Sequence, residues 1–363
     1  MIYFDNAATA APPVLWPEQY FGNPSSPHKL GLRAERSIGN ARSAFAKILN
    51  CRESEIIFTS GGTESNNLAI IGFAMAHRRQ DTGVFAEPWE HPSVIEPIGF
   101  IKEQSLAESY IAPVMAKKTF SHALQLISIS QVCHETGTIN DVASIAKSIK
   151  KDHPKAVIHV DGAQGFCKES VDLSDIDMYS FSAHKCHGPQ GVGGLMVRGG
   201  IRLAPLMYGG GQEKGQRPGT ENVAGITMSA DTAERLYHSL EVNHNHVTNI
   251  NTVIKSIQDD LPDVLINSRS DAVTPYILNM SFSGINGETL VHLLSEKGIY
   301  ASMGAACRSR KKVKTALEQM GFDQQRAKSA VRFSFSHLNT LEEATEAKAI
   351  IIDAVKQLRR MIR

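Results

Sequence analysis

The stretch that decides the fold is residues 156–194, AVIHVDGAQGFCKESVDLSDIDMYSFSAHKCHGPQGVGG. It contains two short apolar segments, 156–161 and 178–183, whose length and composition are typical of buried strands. The first segment ends in Asp161, and Lys185 follows shortly after the second. In an open parallel α/β sheet, ligands bind beyond the carboxyl ends of the strands. The stretch therefore predicts that Asp161 and Lys185 share the ligand-binding edge of such a sheet.

The same pattern continues on both sides of this stretch. Further strands are predicted at residues 55–60, 126–132 and 193–198, and helical periodicity runs through residues 30–49 and 141–153. Short apolar strands that alternate with helices indicate a mostly parallel α/β sheet with helices on its faces.

The character of the sequence changes near residue 240. Beyond it lie a long helical pattern, further short strands and a final helix that begins with a capping box at 340–343. A chain of 363 residues is also longer than one typical domain. We therefore predict a large domain over residues 14–242 and a smaller α+β domain formed by residues 1–13 and 243–363.

The composition is that of an ordinary globular protein. The chain is 42% hydrophobic and 21% charged, and 38 Lys and Arg side chains balance 37 Asp and Glu. This balance gives no reason to expect nucleic acid or a membrane surface as a partner. The apolar runs are too short to span a membrane, and the stretch MIYFDNAATAAPP lacks the features of a signal peptide. We therefore expect a cytoplasmic protein.

The run His184-Lys185-Cys186-His187 invites interpretation as a metal site. Alternate side chains of an extended segment point to opposite faces, so these side chains do not converge on one ion. The five cysteines of the chain are scattered and form no CxxC pair, which argues against structural zinc and against a disulfide framework. We predict no metal.

Three motifs point instead to an organic phosphate cofactor. In TSGGTESNN (59–67), two glycines and Thr63 precede a helix and suit an anion, although a plain capped turn has the same pattern. Asp161 suits a cationic ring nitrogen or caps the next segment. Lys185 is a poor nucleophile at its free pKa of about 10.4 but is useful as a Schiff base. Together these are the groups that pyridoxal 5'-phosphate requires.

At this point the chain resembles a known family, the NifS/IscS-type cysteine desulfurases. These are fold-type I enzymes that depend on pyridoxal phosphate (PLP), in the class V aminotransferase group. The resemblance runs from about residue 2 to residue 345 and implies an α/β large domain with a mostly parallel seven-stranded sheet, plus a smaller α+β domain. It rests on nine motifs in the same order: YFDNAAT, GNPSSPH, SGGTESNN, EHPSV, HVDGAQ, SAHKCHGPQG, GGGQEKGQRPGTENV, ASMGAAC and VRFSFS.

The resemblance assigns roles to the residues in these motifs. Lys185 would carry PLP as a Schiff base and remove the substrate Cα proton. Asp161 would pair with the pyridine nitrogen, Gln164 would bond the ring hydroxyl, and His91 would stack on the ring and assist proton transfer. Arg332 would bind the substrate carboxylate with its two-pronged guanidinium.

Further residues would complete the site. A neighbouring subunit would contribute Thr220 to the phosphate, which implies a homodimer. The remaining predicted contacts are Gly62, Thr63, Ser182 and His184 for the phosphate, His134 beside the ring, and Asn23 for the substrate.

Cys307, in ASMGAACRSRKKVK (301–314), matches the sulfur-accepting cysteine of the family. The thiolate is the nucleophilic form of cysteine, and nearby positive charge favours it. The basic residues at 308–314 supply such charge. They also suit docking of an acidic partner or a solvated helix start, and the sequence leaves both possibilities open.

The chain departs from the family pattern after the third predicted strand. Where the family usually has two asparagines, this chain has Cys133 and His134. The second position lies near the cofactor ring and substrate, so His134 places a titratable ring there. Such a change bears on substrate choice and pH dependence.

The resemblance implies a cysteine desulfurase that converts L-cysteine to L-alanine and leaves a persulfide on Cys307. The sulfur would pass to a protein acceptor, for iron-sulfur cluster assembly or another thiolation pathway. The nearest alternative is a selenocysteine lyase, which releases selenide and alanine from L-selenocysteine. An aminotransferase and a non-catalytic homologue are the more distant alternatives.

Overall fold

Short strands and helices follow one another along the chain. The computed structural model describes residues 2–7, 22–78, 81–113, 124–268, 272–303 and 315–362. The strands are β1 (Ile2–Tyr3), β2 (Ile56–Thr59), β3 (Thr82–Ala86), β4 (Glu108–Ile111), β5 (Leu124–Ser130), β6 (Val157–Asp161), β7 (Met178–Ser182), β8 (Gly193–Val197), β9 (Val264–Ile266), β10 (Ile277–Phe282), β11 (Ile299–Tyr300) and β12 (Ala330–Ser334). The helices are α1 (Lys29–Ile48), α2 (Gly62–His77), α3 (Pro92–Glu103), α4 (Val142–Asp152), α5 (Val223–His238), α6 (Leu240–Lys255), α7 (Ile257–Asp260), α8 (Gly287–Glu296), α9 (Ala316–Gln319), α10 (Gln324–Lys328) and α11 (Leu341–Ile362).

The chain divides into two units. The sheet unit comprises Ala11–Gln131 and Asp141–His238, and the small unit comprises Met1–Ala10, Val132–Asn140 and Ser239–Arg363. Each unit has a hydrophobic core of its own, which is the usual mark of a domain.

The sheet unit is built on a seven-stranded sheet with the order β2-β8-β7-β6-β5-β3-β4. Neighbouring strands from β4 to β7 pair parallel, whereas β8 pairs antiparallel with both β7 and β2. Every residue of β2, β3, β6 and β7 is buried, because helices cover both faces of the sheet. The predicted mostly parallel α/β sheet is confirmed.

Helix α1 shows how sequence periodicity fixes the packing. Its buried residues include Ala34, Ile38, Ala41 and Phe45, which recur at intervals of three or four and so lie on one face. The Phe45 ring stacks on Phe181 of β7 at a centroid distance of 4.8 Å. This contact anchors the helix beside the strand that leads to Lys185.

The small unit contains a three-stranded antiparallel sheet with the order β12-β10-β9, and β1 pairs parallel with β11. The predicted capping box is present at the start of α11: the Thr340 amide donates to Glu343 Oε2 at 3.2 Å, and the Glu343 amide donates to Thr340 Oγ1 at 3.1 Å. The long helical pattern predicted before this sheet is interrupted at Ser256, where α6 ends and α7 begins.

No helix in the described part of the chain combines the length and the apolar character that a bilayer crossing requires.

Candidate active site

The carboxyl ends of β6 and β7 bring Asp161 and Lys185 to the same edge of the sheet, as predicted. The two strands pair parallel, and Asp161, the last residue of β6, lies opposite Ser180 of β7. A short 3₁₀ turn, Ala183–Lys185, follows β7 directly. Lys185 therefore leaves the sheet beside the end of β6, at the edge where α/β sheets bind ligands.

The start of helix α2 forms an anion cradle. Its N-cap residue, Gly61, has φ +152° and supplies no side chain to cap the first turn. That backbone conformation is accessible mainly to glycine. The Ser182 hydroxyl is buried and has no hydrogen-bond partner among the described residues, and a Cβ placed on Gly62 would lie 3.5 Å from Ser182 Cβ. Uncapped helix amides beside an unpartnered hydroxyl suit a phosphate.

His184 adds a neutral donor to this region. Burial lowers the pKa of His184 to about 4, and the nearby Lys185 and Lys168 charges add to the effect. The ring is therefore neutral at pH 7 and can donate one N–H. Thr63, also predicted at the phosphate, lies exposed in the first turn of α2.

Asp161 is buried and held by two donors. The Ala163 amide donates to Oδ1 at 3.0 Å, and the Asn66 side chain donates to Oδ2 at 2.8 Å. An anchored, buried carboxylate is suited to a cationic ring nitrogen. Gln164, three residues later, is also buried, and its Oε1 accepts from Lys168 Nζ at 3.5 Å.

His91 is the N-cap of α3. Its Nδ1 accepts from the Ser93 amide at 3.1 Å and lies 2.8 Å from the Ser93 hydroxyl. Asn66 Nδ2 in turn lies 2.9 Å from Ser93 Oγ. Sequence reasoning placed His91 in the site but missed Asn66 and Ser93, although both lie within the motifs that carry the resemblance.

Glu90 is a third residue that sequence reasoning missed. Its Oε1 accepts from the Ser130 amide at 2.9 Å and from the Ser130 hydroxyl at 3.0 Å, while Oε2 is buried without a partner among the described residues. Burial raises the pKa of Glu90 to about 8, and the nearby Asp161 charge contributes to the rise. The carboxyl group is thus largely protonated at neutral pH, so Glu90 adds little negative charge beside Asp161.

The segment that carries Thr220 is tied to other parts of the sheet unit. Glu213 and Lys214 both have positive φ, 48° and 57°. Arg42 makes a two-pronged pair with the Glu213 carboxylate, and Arg217 Nε donates to Glu64 Oε1 at 2.9 Å. Thr220 itself is exposed.

Asn23 lies in a turn ahead of α1. Its Oδ1 accepts from the Ser25 amide at 3.0 Å, and its side chain is exposed. The structure therefore places this predicted substrate residue in a local turn of the sheet unit.

In the small unit, Arg332 projects from β12 and is only 6% exposed. It donates to the His134 carbonyl at 2.8 Å and lies 3.5 Å from Asp5 Oδ1, while its Nε is buried without a partner among the described residues. His134 Nε2 lies 3.5 Å from Glu135 Oε1. Cys307 lies outside the described residues.

The whole chain can be compared with known proteins. The family model described as aminotransferase class-V matches residues 2–346. This chain belongs to the class-V aminotransferase family. This chain is 40% identical to a NifS/IcsS protein homolog of Lactobacillus delbrueckii subsp. bulgaricus, and the match covers 95% of each chain. It is 35% identical to cysteine desulfurase IscS of Vibrio atlanticus, over 99% of this chain and 94% of that one.

A solved structure of a NifS-like protein matches this class-V family member with a TM-score of 0.91. The sequence identity is 32%, and the match covers 98% of this chain and 100% of the other. The predicted resemblance to the NifS/IscS-type proteins and the predicted fold class are confirmed.

Class-V family members use PLP, and the residues of the sheet unit fit this group. The start of α2, which has no side-chain cap, suits its phosphate, as does the Ser182 hydroxyl, which has no partner in the part of the chain that the structure describes. The buried Asp161 carboxylate suits its ring nitrogen, and the Lys185 amine, at the same sheet edge, suits its aldehyde.

Proposed function

We propose that the protein is a PLP-dependent cysteine desulfurase that converts L-cysteine to L-alanine and transfers the sulfur to Cys307. The observation that carries this proposal is the meeting of Lys185, Asp161 and an anion cradle at one sheet edge, in a chain with cysteine desulfurases among its relatives. The relatives named above are a cysteine desulfurase and NifS-type proteins, so they favour the desulfurase over the selenocysteine lyase alternative.

Each predicted site residue of the sheet unit has a role in this reaction. When bound, PLP withdraws electrons from the substrate Cα. Lys185 anchors the cofactor and takes the Cα proton, and Asp161 holds a proton at the ring nitrogen. His91 packs on the ring, and Gln164 bonds the ring hydroxyl.

The phosphate is held by neutral donors and by the start of a helix. Ser182 and His184 donate from the end of β7, and Thr63 and the amide of Gly62 from the start of α2. In the homodimer that we propose, Thr220 of the neighbouring subunit completes the cradle. The paired Arg42 and Glu213 side chains hold the segment that carries Thr220.

Arg332 binds the substrate carboxylate. The buried guanidinium has no partner for its Nε among the residues that the structure describes, so it keeps a donor for a ligand, and its planar fork matches a carboxylate. The carbonyl of His134 fixes the guanidinium from one side. Asn23 and the His134 ring are proposed to contact the amino acid and the cofactor ring.

Cys307 supplies the nucleophile. Its thiolate forms an S–S bond with the substrate sulfur while the C–S bond breaks, which leaves a persulfide on Cys307 and, after proton addition at carbon, alanine. The described cysteines are poor candidates for this role. Burial raises the pKa of Cys51 to about 11 and also raises the pKa values of Cys133 and Cys167, while Cys186 is only 2% exposed.

The decisive experiment measures alanine, sulfide and protein-bound persulfide with PLP-loaded protein and L-cysteine. We expect equal amounts of alanine and sulfur from the wild type, and a persulfide mapped to Cys307 by mass spectrometry. Cys307→Ser should form no persulfide, whereas the matched control Cys51→Ser should behave as the wild type. If purified, PLP-loaded protein forms no alanine from cysteine, the proposed activity is wrong.

Selenocysteine is the competing substrate. Parallel assays of the two amino acids should show substantial cysteine turnover, and the same assays on His134→Asn report whether this residue sets the preference. Negligible cysteine turnover with fast selenide release would favour the lyase.

The cellular setting is part of the proposal. The protein would be a cytoplasmic homodimer that passes sulfur from Cys307 to a protein acceptor, and its net charge of +1 gives no reason to expect nucleic acid as the partner instead. The basic residues at 308–314 give an acidic acceptor a place to dock. Iron-sulfur cluster assembly is the pathway that we propose for this sulfur.

A further inference from the structure

A hydrogen-bond chain that is buried at Asp161, Asn66 and Ser93 connects Asp161 to the exposed residue His91. Its centre is Asn66, which is 1% exposed on α2. One amide group donates in two directions, since Nδ2 lies 2.8 Å from Asp161 Oδ2 and 2.9 Å from Ser93 Oγ. An ionised carboxylate only accepts hydrogen bonds, so the NH₂ side of Asn66 must face Asp161. The direction of the first link is therefore fixed.

The second link follows from the first. Ser93 Oγ accepts one hydrogen from Asn66, which leaves the hydroxyl hydrogen to donate to His91 Nδ1 at 2.8 Å. The Ser93 amide donates to the same nitrogen at 3.1 Å. Because Nδ1 accepts from both groups, it carries no proton, and the single proton of a neutral ring is on Nε2.

We propose that Asn66 and Ser93 are positioning residues that join the Asp161 carboxylate to the His91 ring and hold neutral His91 with its proton on Nε2. This inference deepens the proposed function, in which Asp161 and His91 both serve the cofactor. His91 can then donate a hydrogen bond only from Nε2. The position of this proton is fixed by hydrogen bonds that begin at Asp161.

The hydrogen-bond chain explains why residue 66 is an asparagine. A carboxylate there would oppose Asp161 at 2.8 Å, and like charges at that distance are strongly unfavourable. An apolar side chain would leave both Asp161 Oδ2 and Ser93 Oγ without their donor. Asparagine supplies two hydrogens from one nitrogen.

The first test is ¹⁵N NMR of histidine-labelled, full-length protein, with the His91 signals identified by their loss in His91→Gln. In the wild type, at a pH where the ring is neutral, Nε2 should be protonated and Nδ1 should not. Ser93→Ala removes one of the two donors to Nδ1 and should change the ¹⁵N chemical shift of that nitrogen. Ser93→Thr keeps the hydroxyl and should leave the shift unchanged. A proton on Nδ1 in the wild type overturns the inference, as do identical Nδ1 signals in the wild type and Ser93→Ala.

The second test measures PLP dissociation. Asn66→Leu removes one hydrogen bond to the Asp161 carboxylate, so the dissociation constant should rise about tenfold or more. Ser93→Ala leaves that bond in place and should change it less than about twofold. Equal PLP affinities for Asn66→Leu and the wild type would contradict the role of Asn66.

Neither test requires an amino acid substrate. A failed desulfurase assay with the NMR result as expected would reject the proposed activity alone. Cysteine turnover with the proton on Nδ1 would reject the hydrogen-bond chain alone. The wild-type spectrum decides the question even if Asn66→Leu does not fold.

Discussion

Glu90→Gln should change how the stability of the protein depends on pH. In the folded protein, Glu90 keeps its proton up to about pH 8, whereas its ordinary pKa is 4.5. Between these values the unfolded chain releases a proton that the folded protein retains, so the free energy of unfolding falls as pH rises. Glutamine imitates the protonated carboxyl group and has no proton to release. The variant should therefore lose this contribution to the pH dependence.

The size of the effect follows from the length of the pH interval. Each pH unit within it contributes about 1.4 kcal/mol. From pH 5.5 to 7.5 the stability of the wild type should therefore fall by roughly 2–3 kcal/mol relative to Glu90→Gln. Above about pH 8 the difference should level off, because Glu90 then ionises in the folded protein too.

Urea unfolding at pH 5.5, 6.5 and 7.5 measures this difference. The matched control is Glu96→Gln, an exposed glutamate on the same short stretch of chain, and its stability should follow that of the wild type. If the gap between Glu90→Gln and the wild type is the same at all three pH values, folded Glu90 is ionised throughout and the reasoning is wrong.

Three further substitutions test the packing of the sheet unit. Arg42→Gln leaves the nearly buried Glu213 carboxylate without its cation and should lower the free energy of unfolding in urea by about 3 kcal/mol, and adding Glu213→Gln should restore part of the loss. Gly162→Ala places a Cβ well within van der Waals distance of Cζ of buried Tyr179 and should give insoluble protein or a much lower melting temperature; normal yield and melting temperature would contradict this. Gly99→Ala meets no atom within 4 Å in helix α3 and should stabilise the protein by about 0.5–1 kcal/mol, and a lower melting temperature would contradict this.

Local pattern and sheet geometry were enough to predict the edge that carries Asp161 and Lys185. Buried strands of a parallel sheet are continuous apolar runs, and their carboxyl ends meet wherever the strands pair in parallel. Strands Thr82–Ala86 and Glu108–Ile111 were not identified from local pattern. The first begins with Thr-Gly, and the second lies at the sheet edge with no buried residue, so neither shows a continuous apolar run.

The hydrogen-bond chain of Asn66 and Ser93 could not have been predicted in the same way. The residues are 27 positions apart, and the contact exists only because helices α2 and α3 pack together. The raised pKa of Glu90 likewise depends on burial and on Asp161, which lies 71 positions later in the chain. Sequence pattern reports which residues share an element, whereas these contacts depend on how elements pack.

The placement of Val132–Asn140 with the small unit has a consequence for dissecting the protein. The chain passes from one unit to the other between residues 10 and 11, 131 and 132, 140 and 141, and 238 and 239. The Ile139 amide donates to the Ala272 carbonyl at 2.9 Å. Backbone that comes much later in the chain therefore holds the segment Val132–Asn140 in place. A ribosome finishes the sheet unit before it makes that partner, and a fragment that stops at residue 238 never obtains it.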